Sequence, residues 1–306
     1  MKTDTIGRRK SNTSQSTGKR VDITEFDLAL FRGLRRYHPL PTPLAFHFWN
    51  TNGHYNSFQD RMRNLNHEAF VRMGLERIEG PVVERPWELN PPPPNPEPAW
   101  YELTDAGRSL APTTAPIIAS RDPRHHRGAN ACVGASFELL APHYGMEVYH
   151  EEEIYLHSGC PSETSKTKNP RQIDGYEPDA LMGLRILDAG YRFFVREQDR
   201  GVTFSRRDPN QTSNQQKIDK LLSLFASKRY QKHWGIPNLR AMFITTSQGR
   251  IDTMLEYLKG KPYAERFLFK ALPQFHRRTW KAPREPISEL FEPWITVKGP
   301  FDITKG

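Results

Sequence analysis

Residues 191–199, YRFFVREQD, read as a strand with one informative face. Strict alternation puts Phe193, Val195, Glu197 and Asp199 on the same side. Two apolar residues followed by two carboxylates at i and i+2 place a pair of acids at the rim of a buried surface. Acids so placed repel each other unless a cation neutralises them, and a divalent ion with oxygen ligands, Mg²⁺ or Mn²⁺, does so at least cost. The segment before it, EPDALMGLRIL (residues 177–187), is a second strand that carries Asp179 at its entry, just after Pro178. The short turn Asp188-Ala189-Gly190 makes the two strands a hairpin, and the antiparallel pairing brings Asp179 opposite Glu197. Asp179, Glu197 and Asp199 are therefore the candidate metal ligands.

Chemistry at a phosphodiester would also need a cation near the phosphoryl oxygens, where charge grows in the transition state. The helix expected over residues 213–231 offers Lys217 and Lys220. Its apolar stripe is Ile218, Leu221, Leu222 and Phe225, at i, i+3, i+4 and i+7. Lys217 lies about 90° from the centre of that stripe and Lys220 about 150°. Lys217 can reach round the helix edge towards the sheet, whereas Lys220 points to solvent. Lys217 completes the candidate catalytic set.

Outward from this hairpin the pattern continues on both sides. A helix over about residues 124–143 precedes MEVYHEEEIYLH (146–157), which reads as alternating strand, and AMFITT (241–246) follows the 213–231 helix as a further strand. Helix, three strands, helix, strand implies a mixed α/β sandwich with helices against a central sheet. The whole chain has 306 residues, against roughly 100–200 per domain, so two folded units are expected. Residues 112–123, PTTAPIIASRDP, read as the linker between a unit at 21–111 and one at 124–306, and residues 1–20 as a disordered basic tail.

Charge is distributed unevenly. The net of +9 resolves into +5 for residues 1–20, −3 for 21–111, −4 for 112–199 and +11 for 200–306. An acidic centre flanked by basic segments suits a site that concentrates carboxylates while its surroundings attract a polyanion. No apolar run approaches the ~20 residues of a membrane span, and no apolar leader opens the chain, so a cytoplasmic protein with no membrane partner is expected. Two cysteines, Cys132 and Cys160, make no disulfide framework.

In residues 21–111, Thr24 is placed to cap a helix through EFDLALFRGLRRY, with Phe26, Leu30 and Leu34 at four-residue steps and Phe31 beside them. A short second helix follows Pro43, and a third runs through NSFQDRMRNLNHEAF with Phe58, Met62, Leu65 and Ala69 inward. Then come GLERIEG, the proline-rich NPPPPNPEP and AWYELTDAGRSL. Three short helices, two strands around a tip and a closing Tyr-x-Leu-Thr-x-x-Gly-Arg (Tyr101 to Arg108) resemble a winged helix-turn-helix. If the third helix is the reader, Asn56, Ser57, Asp60, Arg63, Asn64 and His67 face outward. Of these, Asn56, Ser57, Arg63 and Asn64 suit base edges and phosphates of double-stranded DNA. Asp60 and the negative block charge oppose that use.

Glu177-Pro178-Asp179-Ala180, then Phe194-Val195-Arg196-Glu197-Gln198-Asp199-Arg200-Gly201, then Lys217 opening a helix, resemble the replication-relaxation family of plasmids and mobile elements. The resemblance implies a winged helix followed by a nuclease-like domain of the PD-(D/E)xK type, and a relaxase-like activity that nicks DNA in replication or conjugative mobilisation. The replication or conjugation machinery would then be its partners. It also implies Asp179 at the Pro-Asp position, Glu197 at the acidic position of the next strand, and Asp199 where the pattern carries a lysine. Lys217 would be that lysine moved to the following helix, and Glu138 an extra acid. The other reading is a non-catalytic DNA-binding replication-initiation or regulatory protein with a degenerate nuclease fold.

Three further patterns carry weaker chemistry. His157-x-x-Cys160 is half of a zinc site, with only Cys132 and His125-His126 to complete it. Tyr230, after Lys228-Arg229, is a conceivable nucleophile. RRTWKAPR (277–284) interleaves Trp280 with basic residues and could grip single-stranded DNA by stacking and charge.

Overall fold

Thr24 starts the first long helix as its residue type requires. In the computed structural model, which describes residues 20–50, 52–68, 70–73, 76–79, 82–84, 98–111, 124–187, 190–199, 213–276 and 280–305, the chain divides into one unit ending at Pro112 and a second beginning at Thr113. That division falls at the start of the segment read as a linker. The tail up to residue 19, the linker and most of NPPPPNPEP lie outside the described residues. Among the described residues no helix is long and apolar enough to cross a membrane.

The first unit runs β1 (Val21–Asp22), α1 (Glu25–Arg36), β2 (Leu40–Pro41), α2 (Thr42–Trp49), α3 (Tyr55–His67), β3 (Phe70–Met73), β4 (Glu76–Glu79), β5 (Val83–Glu84), β6 (Trp100–Leu103) and α4 (Asp105–Leu110). Thr24 and Asp27 form a capping box at the start of α1: the Thr24 hydroxyl oxygen accepts from Asp27 N at 3.3 Å, and Asp27 Oδ2 accepts from Thr24 N at 2.7 Å. The buried face of α1 is Asp27, Leu30, Phe31 and Leu34, while Phe26 is 51% exposed with its ring 5.9 Å from that of Trp49. Phe26 thus leaves the expected stripe, and a carboxylate takes its place. Asp27 is fully buried and collects donors from three helices: the Thr24 hydroxyl at 2.8 Å, Trp49 Nε1 at 3.2 Å and the Arg61 guanidinium, whose Nε is at 2.9 Å.

On α3, Phe58, Met62 and Leu65 are fully buried, as the helical period requires. Rings of Phe46 and Trp49 each lie 5.5 Å from Phe58. Two small sheets complete the unit, in the orders β1-β3-β4 and β2-β6-β5. GLERIEG was expected to pair across the proline-rich segment. Instead its strand β4 pairs with β3, and β6 takes β5 and β2 as antiparallel neighbours. The closing Tyr101–Arg108 pattern has a steric cause. A side chain at Gly107 would place its Cβ 2.0 Å from the Val82 carbonyl oxygen, so only glycine allows α4 to close on the residue just before β5. Thr104 caps α4 by accepting from Gly107 N at 3.1 Å, and Arg108 donates to Leu103 O at 2.7 Å.

The second unit is a mixed α/β fold. Its elements are α5 (Arg124–Leu140), β7 (Met146–Tyr149), α6 (Glu151–Leu156), α7 (Ser162–Ser165), β8 (Ala180–Ile186), β9 (Gly190–Gln198), α8 (Asn214–Ser227), α9 (Arg229–Trp234), β10 (Arg240–Thr245), α10 (Gln248–Leu258), β11 (Phe267–Ala271), β12 (Trp294–Thr296) and β13 (Gly299–Phe301). They build a sheet in the order β13-β12-β11-β10-β9-β8-β7, antiparallel except that β10 runs parallel to both β9 and β11. One face packs Phe193, Val195, Ala241, Phe243, Phe267 and Phe269 against Ile218, Leu221, Leu224 and Phe225 of α8 and Ile251, Met254 and Leu258 of α10. Burying each of the larger of these side chains contributes about 1.5–3 kcal/mol. From the other face Arg196 reaches α5, its Nη2 donating to Asn130 O at 2.8 Å.

Two expectations change here. MEVYHEEEIYLH is strand only to Tyr149: the three successive glutamates sit in the first turn of α6, where the helix dipole favours anions, and His150 N donates to Glu153 Oε2 at 2.6 Å. The helix expected over 213–231 breaks at Lys228, whose φ of 52° is left-handed, into α8 and α9.

Asp27→Ala leaves Arg61 without its buried partner and should destabilise the first unit by about 3–5 kcal/mol. Amide hydrogen exchange in α1 and α3 of the whole chain is the measurement, with faster exchange there and none of the acceleration in β8–β11.

Candidate functional site

The hairpin β8–β9 determines which acids meet. Its register pairs Ala180 with Arg196, and one residue further along sets Asp179 opposite Glu197. Asp179 is anchored from three directions. Its Oδ2 accepts from Gln198 N at 2.7 Å, His126 Nε2 of α5 stands 3.2 Å from the same oxygen, and its main-chain oxygen accepts from Asn130 Nδ2 at 2.9 Å.

Glu197 points to the α8 side of the sheet and is 1% exposed. Its Oε1 accepts from the Tyr176 hydroxyl, and its Oε2 is in contact with Lys217 Nζ. The same ammonium is 3.7 Å from Asp179 Oδ1. Lys217 arrives there from the first turn of α8, whose start is set by a capping box: the Ser213 hydroxyl oxygen accepts from Gln216 N, and Ser213 N donates to Gln216 Oε1, each at 3.2 Å. One ammonium therefore lies between two facing carboxylates, Glu197 buried and Asp179 with a side chain 10% exposed.

The two acids respond differently to that shared cation. Burial pushes Glu197 upward, the nearby Asp179 charge adds to it and Lys217 only partly opposes it, so its carboxyl is raised to about 7. Burial would raise Asp179 as well, but Lys217, His126 and the Gln198 amide together hold it well below the usual carboxylate range. The Tyr176 phenol is pushed well above its ordinary value by burial and then by the Glu197 charge, so it stays a donor. Near neutral pH the group holds one firmly ionised acid, one acid poised to take or release a proton, and one cation. Such a set can neutralise or bind a positive ion, and can move a proton at Glu197.

Of the four residues expected at the site, Asp179, Glu197 and Lys217 come together. Asp199 follows the strand onto the same face, but its carboxylate is held by Arg250 of α10, with Nε at 2.5 Å and Nη2 at 2.8 Å, and by the Thr245 hydroxyl at 3.1 Å. Lys220 donates to Gly175 O at 2.6 Å, and Glu138 Oε2 lies 3.5 Å from His150 Nε2. Among the described residues, no group of three or more His, Cys, Asp and Glu side chains is gathered as a metal site.

The weaker candidates resolve through burial. Cys132 is fully buried, which raises its thiol well above the ordinary value, and Cys160 Sγ faces the main-chain oxygens of Pro161 and His233 at 3.8 Å. Tyr230 is 2% exposed and its hydroxyl oxygen accepts from Arg266 Nη1 at 3.3 Å, so it is not presented to a substrate. Trp280 is buried, with its ring 5.2 Å from Phe275, so its face is used by the protein itself; residues 277–279 lie outside the described residues. On α3, Asn56, Ser57 and Arg63 are exposed and Asn64 is half-buried, and Arg63 pairs with Asp60 at 2.7 Å.

Tyr176 and His126 were missed from the sequence. The signal for Tyr176 was present: Asp174-Gly175 is a turn dipeptide, both residues have positive φ (50° and 67°), and the turn closes Ile173 on Tyr176. His126 lies fifty-three residues before Asp179, with β7, α6 and α7 between them, and carries no local signal.

No family model matches this chain, and no curated protein or solved structure matches it either.

The raised Glu197 carboxyl gives a signed pH dependence. The folded state holds a proton at Glu197 that the unfolded chain has released, so this residue's contribution to stability is full below about 4.5 and is lost as pH rises towards 7. Subtracting the stability of Glu197→Gln from that of the wild type across pH 4–8 should leave a decline on the order of 1–3 kcal/mol in that window. A flat difference would mean that Glu197 titrates as an ordinary carboxylate.

Proposed function

We propose that the chain is a DNA-binding protein of plasmid or mobile-element replication or mobilisation, whose second unit is a metal-dependent, relaxase-like strand-nicking nuclease. The observation that carries this reading is the convergence of Asp179, Glu197 and Lys217 in one largely enclosed group. The PD-(D/E)xK pattern asks for two acids and a lysine, and here α8 supplies the lysine in place of β9. The succession α5, β7, β8, β9, α8, β10, with β10 parallel to β9, agrees with that nuclease core. In the first unit, α1, β2, α2 and α3 followed by the paired β5 and β6 agree with a winged helix, with α3 as the DNA reader.

Asp179 and Glu197 would hold the Mg²⁺ or Mn²⁺ ion, and the donor set fits a hard cation because the two carboxylates already close on a positive charge. When bound, that ion would offset the repulsion of the acids and polarise water or a phosphate oxygen. The chain's own groups do the rest. Gln198 N and His126 hold Asp179 in place, Tyr176 fixes one oxygen of Glu197, and Glu197 can take up a proton near neutrality. Lys217 supplies the charge that stabilises a phosphoryl oxygen as it becomes more negative. Exposed Asn56, Ser57 and Arg63, with Asn64, supply polar and cationic contacts to duplex DNA.

A second reading, a non-catalytic DNA-binding initiation or regulatory protein, is favoured by one specific observation. Asp199 is closed off by Arg250 and Thr245, which leaves two carboxylates rather than three beside Lys217.

Relaxation of supercoiled plasmid in Mn²⁺ separates the two. The nuclease reading expects nicking by the wild type, a loss of about 10²–10³-fold or more in Glu197→Ala, Asp179→Asn and Lys217→Met, and unchanged DNA retention by all three. Arg63→Ala should instead weaken duplex binding by about 1–3 kcal/mol without altering nicking of bound DNA. DNA retention with no nicking by the wild type would favour the second reading.

A further inference from the structure

The strands β9, β10 and β11 run parallel, and each carries an arginine near the end at which it starts: Arg192 in β9, Arg240 at the first position of β10, and Arg266 immediately before β11. The Arg240 guanidinium stands 4.4 Å from the ring centroid of Phe301, and Arg192 stands 5.6 Å from the same centroid. One aromatic ring is therefore shared by two cations. The third, Arg266, lies over the rings of Phe225 and Tyr263 at 5.4 and 5.3 Å.

The charges of this group are not balanced. Among the described residues no carboxylate forms an ion pair with Arg192, Arg240 or Arg266, whereas Arg61, Arg171, Arg185, Arg229 and Arg250 each have one. Their hydrogen bonds go to neutral oxygens: Arg240 Nη1 donates to Glu265 O at 3.1 Å, and Arg266 Nη1 to the Tyr230 hydroxyl at 3.3 Å. Arg192 Nη1 is buried and has no hydrogen-bond partner. Burial, then the charges of Arg192 and Arg266, lower Arg240 below the ordinary arginine value, with Glu265 opposing weakly. Two guanidiniums on one ring, with the Arg266 charge near enough to act on Arg240 and a buried N–H of Arg192 unused, are stabilised by an anion, and the forked guanidinium matches the oxygens of phosphate.

The group is separate from the carboxylate pair. Arg192 shares its strand face with Arg196, which reaches α5, whereas Glu197 faces α8. Glu197 is five positions along β9 from Arg192, about 17 Å at 3.3 Å per residue. A single phosphate cannot serve both.

We propose that Arg192 and Arg240, which share the Phe301 ring, form a second phosphate-binding site, with Arg266 adding positive charge nearby, that grips the backbone of a nucleic-acid strand away from the cleavage centre. The identity of the polyanion rests on the DNA reading given above; the phosphate chemistry does not. The test uses the whole chain as wild type, as the double variant Arg192→Gln/Arg240→Gln, and as Arg192→Lys/Arg240→Lys, which keeps the charge. Arg185→Gln, an exposed arginine paired with Glu147, is the control. Thermal unfolding is compared in pyrophosphate and in chloride at equal ionic strength, and duplex binding is followed by fluorescence anisotropy across a salt series.

Pyrophosphate should raise the melting temperature of the wild type and the control by several degrees, that of the Lys variant by less, and that of the Gln variant hardly at all. The dependence of log affinity on log salt should become shallower by about one to two in the Gln variant. No protection of the wild type, or equal protection of the Gln variant, overturns the site. Lost protection with an unchanged salt slope overturns the nucleic-acid assignment and makes the ligand a small phosphate compound. A wild type that binds no DNA but shows arginine-dependent protection sinks the DNA reading and leaves the phosphate site standing.

Discussion

A single ammonium group holds two carboxylates together in the sheet of the second unit, and the local architecture is arranged to make that contact. Asp179 and Glu197 face each other because the β8–β9 hairpin has one register, and they would repel if Lys217 were absent. Lys217 reaches them because Ser213 starts α8 at a fixed point and because the α8 stripe of Ile218, Leu221 and Phe225 fixes the rotation of the helix on the sheet. Removing any of these three determinants, register, cap or stripe, would leave a buried charge without a partner, which is among the most destabilising changes a fold can suffer.

Three buried acids in this protein show how environment separates scaffolding from chemistry. Asp27 is surrounded by Thr24, Trp49 and Arg61, and Asp199 is gripped in a fork by Arg250 with Thr245 beside it. Both have dedicated donors, and both join elements: α1 to α2 and α3 in one unit, β9 to α10 in the other. Glu197 has a tyrosine and one ammonium shared with a second acid, and its carboxyl is raised to about 7 in consequence. Under-compensation of this kind stabilises little but leaves an acid able to exchange protons and accept another cation.

Much of this site was legible in the sequence because short-range geometry decides it. A strand has a period of two and a tight hairpin has few registers, so Glu197 facing Asp179 followed from residues 177–199 alone. A helix has 100° per residue, so Lys217 rather than Lys220 could be aimed at the sheet. Parity also put Asp199 on the face of Glu197, but it says nothing about which side chain from a distant element arrives there, and Arg250, fifty-one residues on, takes it. The α6 misreading had the same origin as its correction: an acidic run alternating with apolar residues looks extended until its position at a helix N-terminus is counted. In the first unit the burial of Leu30, Leu34, Phe58, Met62 and Leu65 followed from periodicity, whereas the pairings of β1 with β3 and of β6 with β2 and β5 join segments far apart in sequence, which no local pattern encodes.

The claim on which the functional reading turns is that the facing pair Asp179 and Glu197 is a cation site. Electron paramagnetic resonance of Mn²⁺ titrated into the whole protein reads that directly, by the loss of the free-ion signal. The account requires one bound Mn²⁺ per chain in the wild type and none in the double variant Asp179→Asn/Glu197→Gln with its fold intact. Mn²⁺ uptake that is absent from the wild type, or undiminished in the variant, would contradict it.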